Sequence, residues 1–225
     1  MWTAAQVKEP PHTPPTKMAK RTDAVERHKE AADKVIDYAS KIFFKQGIKS
    51  VTMDDIAHRL CMSKRTLYQL FSDKEELLLA CLKRSEKRHH QRILSISLHS
   101  SNVLEILLKD FDYKLKKIGN ISSQFVNDLP KYPQVMAYLQ EQRERHHQQA
   151  IEFLQQGVEQ GVFRSDINFE IVYKIASQQA DLINKDIMGH FAPAEILLNF
   201  FFVYLRGCTT EKGTAMMDEF IKTQI

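Results

Sequence analysis

The chain has 225 residues, enough for one larger domain or a small domain joined to a larger one. Its composition, 43% hydrophobic and 27% charged, is that of a globular protein and excludes a disordered or fibrous one. Charge is uneven: residues 17–92 hold 18 Lys/Arg against 11 Asp/Glu, net +7, whereas residues 93–225 hold 13 against 16, net −3. A basic first part beside a mildly acidic remainder implies two tasks, the first with a polyanionic partner.

The longest dense apolar run, Ile196–Leu205, falls well short of the ~20 residues that span a bilayer. The polar, Pro-rich start does not read as a signal peptide, and Met18 offers an alternative start. The expected location is cytoplasmic, with no membrane partner. Cys61, Cys81 and Cys208 match no zinc or redox spacing and are expected to be packed thiols.

In chain order, residues 1–22 lack apolar periodicity and read as a disordered tail. From about residue 23, Ala31, Val35, Ala39 and Ile42 recur at helical spacing, and Gly47 is the expected stop. Thr52, three before Asp55, predicts a capping box opening a short helix. Ser63 is the expected N-cap of a second short helix, "KRTLYQLF". Ser72, three before Glu75, predicts the start of a fourth, whose apolar face fades over Lys83–Arg92 into a solvated connector reaching about residue 99. Beyond residue 100 helices are expected near 102–119, 121–129, 134–161, 168–189, 193–208 and 213–224. No strand alternation or repeat is evident, so the predicted class is all-α.

A short helix, a tight turn and a second short helix form a helix-turn-helix, whose second helix enters the major groove. Ile56, Ala57, Leu60, Leu67 and Leu70 or Phe71 would wedge against Val35, Ile42 and Phe43. That leaves Lys64, Arg65, Thr66, Tyr68 and Gln69 outward, side-chain types suited to phosphates and base edges. The competing reading is a helical hairpin in a core with solvated polar residues; the local positive charge favours DNA.

The blocks Phe43–Gly47, Thr52–Ala57, Met62–Tyr68 and Phe71–Leu77 resemble, in order and spacing, the tetracycline-repressor (TetR) family of bacterial transcription regulators. The resemblance is close over roughly residues 27–80 and architectural beyond. It implies an N-terminal three-helix helix-turn-helix domain (23–80) and a larger C-terminal helical domain (100–225) for effector binding and dimerisation. It implies phosphate contacts by Thr52, Lys64, Tyr68 and Lys74, and base-facing roles for Ser63, Arg65, Thr66 and Gln69. Lys17, Lys20 and Arg21 could add backbone or minor-groove contacts. Cys61 departs from the pattern, since the family usually has glycine in that turn.

One recognition helix reads few base pairs, so a twofold palindromic operator and a homodimer are expected. Phe169, Val172, Tyr173, Ala176, Ala180, Ile183 and Ile187 line one helix; Ile196, Leu197, Phe200, Phe201 and Tyr204 line the next. The resemblance implies that these two helices make a four-helix dimer interface, the alternative being core helices of a monomer. It also implies a small-molecule pocket, with Phe111, Phe125, Tyr132, Met136, Tyr138, Phe153, Asn184 and Met188 as candidate lining. Each of these is equally a candidate core residue, and the effector is not encoded in the pattern.

The adjacent pairs His89–His90 and His146–His147 lack the i, i+4 spacing of a metal site and read as solvated. Asp181 and Asp186 do not form a paired acid/base site, and no nucleophile motif or phosphate loop is present. No catalytic residues, metal or cofactor are expected. The resulting reading is a dimeric, ligand-responsive DNA-binding repressor of a palindromic operator; its rivals are an activator or an orphan regulator without effector, or, in a different class, a non-DNA helical interaction protein or enzyme.

Overall fold

The computed structural model describes residues 17–182 and 190–224. Ten α-helices account for most of them: α1 (Lys17–Gln46), α2 (Met53–Arg59), α3 (Lys64–Leu70), α4 (Lys74–Ser97), α5 (Val103–Ile118), α6 (Ser123–Asp128), α7 (Pro133–Glu159), α8 (Phe169–Leu182), α9 (Pro193–Cys208) and α10 (Glu211–Gln224). A 3-10 turn, Leu129–Lys131, joins α6 to α7. Among the described residues there is no strand, only an isolated bridge between Phe163 and Thr209. No helix among them is long and apolar enough to cross a membrane.

Two starts differ from the sequence reading. Residues 17–22, assigned to the tail, already belong to α1; no proline follows Pro15 there, and Lys-Met-Ala-Lys-Arg are strong helix formers. The N-cap of α4 is Asp73, not Ser72: its carboxylate accepts from the Glu76 amide at 2.8 Å. Ser72 instead donates its amide and hydroxyl to Glu76 Oε2, both at 2.7 Å. The predicted end of α8 near residue 189 lies outside the described residues.

Buried side chains form two clusters. The first joins Val35, Ala39 and Phe43 of α1 to Ile56, Ala57, Leu67, Phe71, Leu77 and Leu78, the wedge expected from spacing. It also takes in Phe125 from α6 and Val135 from α7, so it reaches beyond α4. The second gathers Val103, Leu104, Leu108, Phe163, Phe169, Leu205 and Met217 from α5, α8, α9, α10 and the segment after α7.

The turn between α1 and α2 is where the later helices grip the first four. Gly47 takes φ +87° to end α1, and a Cβ there would sit 2.8 Å from Gln124 Cγ of α6. Asp128, fully buried, accepts from the Lys49 amide at 2.8 Å and pairs with Lys131 at 2.7 Å. The Ser122 amide donates to the Phe44 carbonyl at 2.7 Å. Glu75, in the first turn of α4, accepts from the amide of Gln134 at 2.7 Å at the start of α7.

The expected solvated connector is solvated on one side only; its other face is tied to neighbouring helices. Arg84 reaches α1, pairing with Asp33 and, at 3.1 Å, with Asp37; Arg88 meets Asp37 at 2.7 Å. Arg92 pairs with Asp110 of α5 at 3.0 Å. A sequence reading scores these residues as polar, but as i, i+4 neighbours they form one face of α4 with acidic partners on both sides.

Burial alone pushes the Asp128 carboxyl up, but the bonds from Lys131 and the Lys49 amide, with others, outweigh it and the net shift is down. The stability this carboxylate gives is therefore whole above its unfolded pKa and is lost as pH falls through the lower folded one. Asp128→Asn should cost about 2 kcal/mol at neutral pH in urea unfolding, the scale of a charged hydrogen bond. It should also lose less stability than the parent between about pH 5 and pH 2, below the ordinary carboxylate range.

Candidate nucleic-acid interface

The α2–α3 unit is built by its caps. Thr52 accepts from the Asp55 amide at 3.1 Å, and Asp55 accepts from the Thr52 amide at 3.0 Å, the capping box read from sequence. The hydrogen bonds hold the Asp55 carboxyl below its ordinary range. At the other end of α2 the Met62 amide bonds the Ala57 carbonyl at 3.0 Å and the Cys61 amide bonds His58 at 3.1 Å. This is a Schellman motif, and Cys61 holds the left-handed position with φ 52°. Its thiol is exposed rather than packed, because the position that closes the motif points away from the core.

Ser63 caps α3, accepting from the Thr66 amide at 3.0 Å, while its hydroxyl lies 2.7 Å from that of Thr66. Leu67 is fully buried and sets the orientation of the helix. At about 100° per residue, Arg65 and Gln69 lie opposite it, with Thr66 and Tyr68 on the flanks. Arg65, Thr66 and Gln69 are exposed, and Tyr68 is 48% exposed despite its ring. The side chains of Arg65 and Gln69 make no hydrogen bond among the described residues, so the centre of this face is uncommitted.

Two of the expected phosphate ligands have partners inside the chain. Lys64 pairs with Asp54 at 2.5 Å, which raises its pKa while leaving both groups exposed. Lys74 donates to the carbonyls of Val51 at 2.7 Å and Ile48 at 3.1 Å. Burial lowers its pKa, and two of its three N–H donors are spent bracing the α1–α2 turn. Lys17, Lys20 and Arg21 lie on α1, with side chains outside the described residues.

The residues expected to line one pocket do not come together. Phe111 stacks on Phe201 at 3.9 Å, and Phe125 packs edge-on against Phe44 at 4.8 Å in the first cluster. Tyr132 packs against that cluster too, and Met136 is exposed. The Tyr138 hydroxyl bonds Glu86, and burial, with that acceptor, pushes its pKa up to about 12. Asn184 and Met188 lie outside the described residues. Choosing residues by type, without their helix faces, caused the scatter.

Phe153 lines a cavity of about 730 Å³ between α4, α5 and α7, with Lys87, His90, Ile93, Leu107 and His146, and Tyr138 lines a polar cleft of about 430 Å³ beside it. A further cleft, of about 510 Å³, opens on the other side of α4, between α1, α5 and α9. This cleft and the Phe153 cavity both reach His89 and Lys114. His90 and His146 are exposed as expected, whereas His89 is half-buried: its Nδ1 lies 2.6 Å from Arg92, and burial, then the Lys114 charge, lowers its pKa. His147 likewise stacks on Tyr173 at 4.7 Å, with Glu170 2.9 Å away but without hydrogen-bond alignment.

The candidate interface residues on α8 and α9 divide. Phe169 is 5% exposed in the second cluster, Val172 and Phe201 pack against it, and Leu197 lines the second cleft. Tyr173, Ala176, Ile196, Phe200 and Tyr204 are partly buried, with Phe200 and Tyr204 rings 4.7 Å apart. The side chain of Ala180, and residues Ile183 and Ile187, lie outside the described residues. The most exposed apolar side chains here are ones the sequence reading passed over: Ile171, Ile175 and Val203, at 55%, 44% and 71%.

Residues 35–81, from mid-α1 through the helix-turn-helix into α4, match the family of bacterial regulatory proteins, tetR family. Over that domain the chain is similar to the tetR family, and the resemblance to its relatives extends further along the chain. Over 151 residues it is 27% identical to the HTH-type transcriptional repressor KstR2 of Mycolicibacterium smegmatis, covering 63% of this chain and 72% of that one. Its fold is similar to the ketosteroid transcriptional regulator KstR2 of Mycobacterium tuberculosis (TM-score 0.53, 21% identity, 80% and 96% of the chains covered). It is also similar to a transcriptional regulator of Saccharomonospora viridis in complex with choline (TM-score 0.65, 18% identity, 81% and 100% covered). The relatives and neighbours so matched are transcription regulators, and the matched domain is the helix-turn-helix that such proteins use to bind DNA.

The thiols give a direct check on the turn. Burial pushes Cys81 up to about 12 and raises Cys208, whereas Cys61 is exposed. Native protein treated with a chromogenic disulfide reagent should release one equivalent per chain rapidly and the other two only on unfolding. Fast release of two or three would contradict the burial described.

Proposed function

We propose that the chain is a homodimeric, ligand-responsive repressor of a twofold operator. The observation that carries the reading is the uncommitted outward face of α3, where Arg65 and Gln69 stand unpaired opposite the buried Leu67. An Arg suits guanine and a Gln suits adenine in the major groove. Ser63, Thr66 and Tyr68 flank that face, and Thr52 and Lys64 stand at its edge as phosphate contacts. Lys74 retains one free N–H, so its main contribution is to hold the turn that presents Thr52. The KstR2 relative, itself described as a repressor, supports the negative sign of regulation.

Dimerisation is favoured by Ile171 and Ile175, one helical turn apart on α8, and by Val203 on α9, all apolar and exposed in the single chain. The effector would occupy the cavity between α4, α5 and α7, within the ~300–1,000 Å³ usual for ligand sites. A neighbour of this fold is known with a bound small molecule, which supports a ligand response. Occupancy shifts DNA affinity only if the ligand prefers one arrangement of α4 and α7, the helices tied by Glu75 at the reading head.

Titration of labelled DNA from the gene's own upstream region, against random DNA of equal length, tests the reading. Selective binding should weaken steeply with salt, with a log–log slope of about −0.9 per phosphate neutralised. Arg65→Ala and Gln69→Ala should each cost ~1–3 kcal/mol on the preferred site and little on random DNA. Equal losses on both would contradict the base-facing assignment.

Val203→Glu places a charge in the proposed seam. Sedimentation should show a dimer for the parent and a monomer for the variant, with secondary structure retained. An unchanged mass would move the interface elsewhere.

A further inference from the structure

We propose that the cleft between α1, α4, α5 and α9 binds a small amphiphile with an anionic head, a carboxylate, phosphate or sulfonate, on an apolar body. Five cations line it, Arg84, Arg88 and Arg92 from α4 with Lys114 and Lys117 from α5. Among the described residues that line it, none is Asp or Glu. The carboxylates that partner these cations are not among the lining residues: Asp33 and Asp37 on α1, and Asp110 on α5. Five cations against three carboxylates leave an excess of positive charge along the cleft.

The paired cations form the inner wall, while the excess, Arg88 and Lys117, is open to an incoming ligand. The side chains of Arg84 and Arg92 are only 20% and 21% exposed, and the Arg92 guanidinium lies 3.7 Å over the Tyr113 ring. Their carboxylate partners already compensate these two, so an added anion would be met by the cations with donors left over. Asp37 is divided between Arg84 and Arg88, so Arg88 has donors to spare. Lys117 approaches only the Tyr113 ring, at 5.8 Å. These two present the least committed charge.

Beside a few small polar groups such as Ser40, Ser85 and Asn120, the lining carries an apolar set: Phe44, Cys81, Ile118, Ile121 and Leu197. A bare anion would leave that surface unused, and an uncharged apolar molecule would leave the cations unanswered. An organic cation is repelled. Nucleic acid is a poor fit, because Arg88 lies 14 residues beyond Lys74 on α4, about 21 Å along the helix from the reading head. The cleft is also separate from the cavity on the α7 side of α4, apart from His89 and Lys114, which border both.

Calorimetric titration of the full chain with decyl phosphate tests this without DNA, so its outcome is independent of the regulatory reading. Decyl phosphate should saturate one site per chain, and decanol and inorganic phosphate should each bind at least about tenfold more weakly. Arg88→Gln combined with Lys117→Gln should weaken decyl phosphate about tenfold or more. Lys87→Gln combined with His90→Gln, which alters only the other cavity, should leave it unchanged. Lys117→Gln alone, which breaks no ion pair, should weaken binding severalfold and serves if the double variant misfolds. Equal affinity for decanol, a loss confined to the Lys87/His90 variant, or no saturable binding would overturn the proposal.

Discussion

A buried carboxylate holds the reading head to the rest of the molecule. Asp128 sits in the last turn of α6 with no exposure, and its acceptor capacity is met by the Lys49 amide and the Lys131 ammonium. The turn it anchors has no regular structure and must reverse the chain between α1 and α2. Lys74 fastens the same turn from the opposite side through the Ile48 and Val51 carbonyls. Once residues 47–51 are fixed, Thr52 is placed to cap α2, Leu67 seats α3, and the Arg65–Gln69 face turns outward.

Charge serves opposite purposes at the two ends of α4. At its start Lys74 is withdrawn from solvent to brace backbone carbonyls, and Glu75 is turned toward the first turn of α7. In its second half Arg84, Arg88 and Arg92 are clamped between acids of α1 and α5. The positive balance of residues 17–92 therefore cannot all be assigned to DNA. Part of it is structural, and part lines a cleft remote from α3.

The helices were legible because their end signals are local. Thr52 with Asp55, Ser63, Gly47 and Pro193 each act within one turn of chain, and the structure uses all of them. Likewise Leu67 and its wedge follow from spacing alone. The pocket was not legible, because Phe111, Phe125 and Phe153 are alike in sequence yet pack into a ring stack, the first cluster and a cavity wall. The α4 arginines were misread for the same reason: their acids are 47 to 51 positions away on α1, or 18 away on α5. Cys61 shows a third limit. Backbone geometry requires a left-handed residue at that point, but composition cannot show that a cysteine occupies it with its thiol outward.

Because α4 is unbroken over 24 residues, it works as a rigid arm. Its far half is held at Arg92 by Asp110, and Lys74 lies 18 residues away, about 27 Å at the helical rise. A tilt of about 5° around the Arg92 end would carry the Lys74 end about 2 Å sideways by that length. Two such arms moving oppositely would change the gap between paired heads by about 5 Å, against the ~34 Å that separates successive major-groove faces. Registration with the double helix would then be spoiled by a rotation too small to disturb the packing of either core.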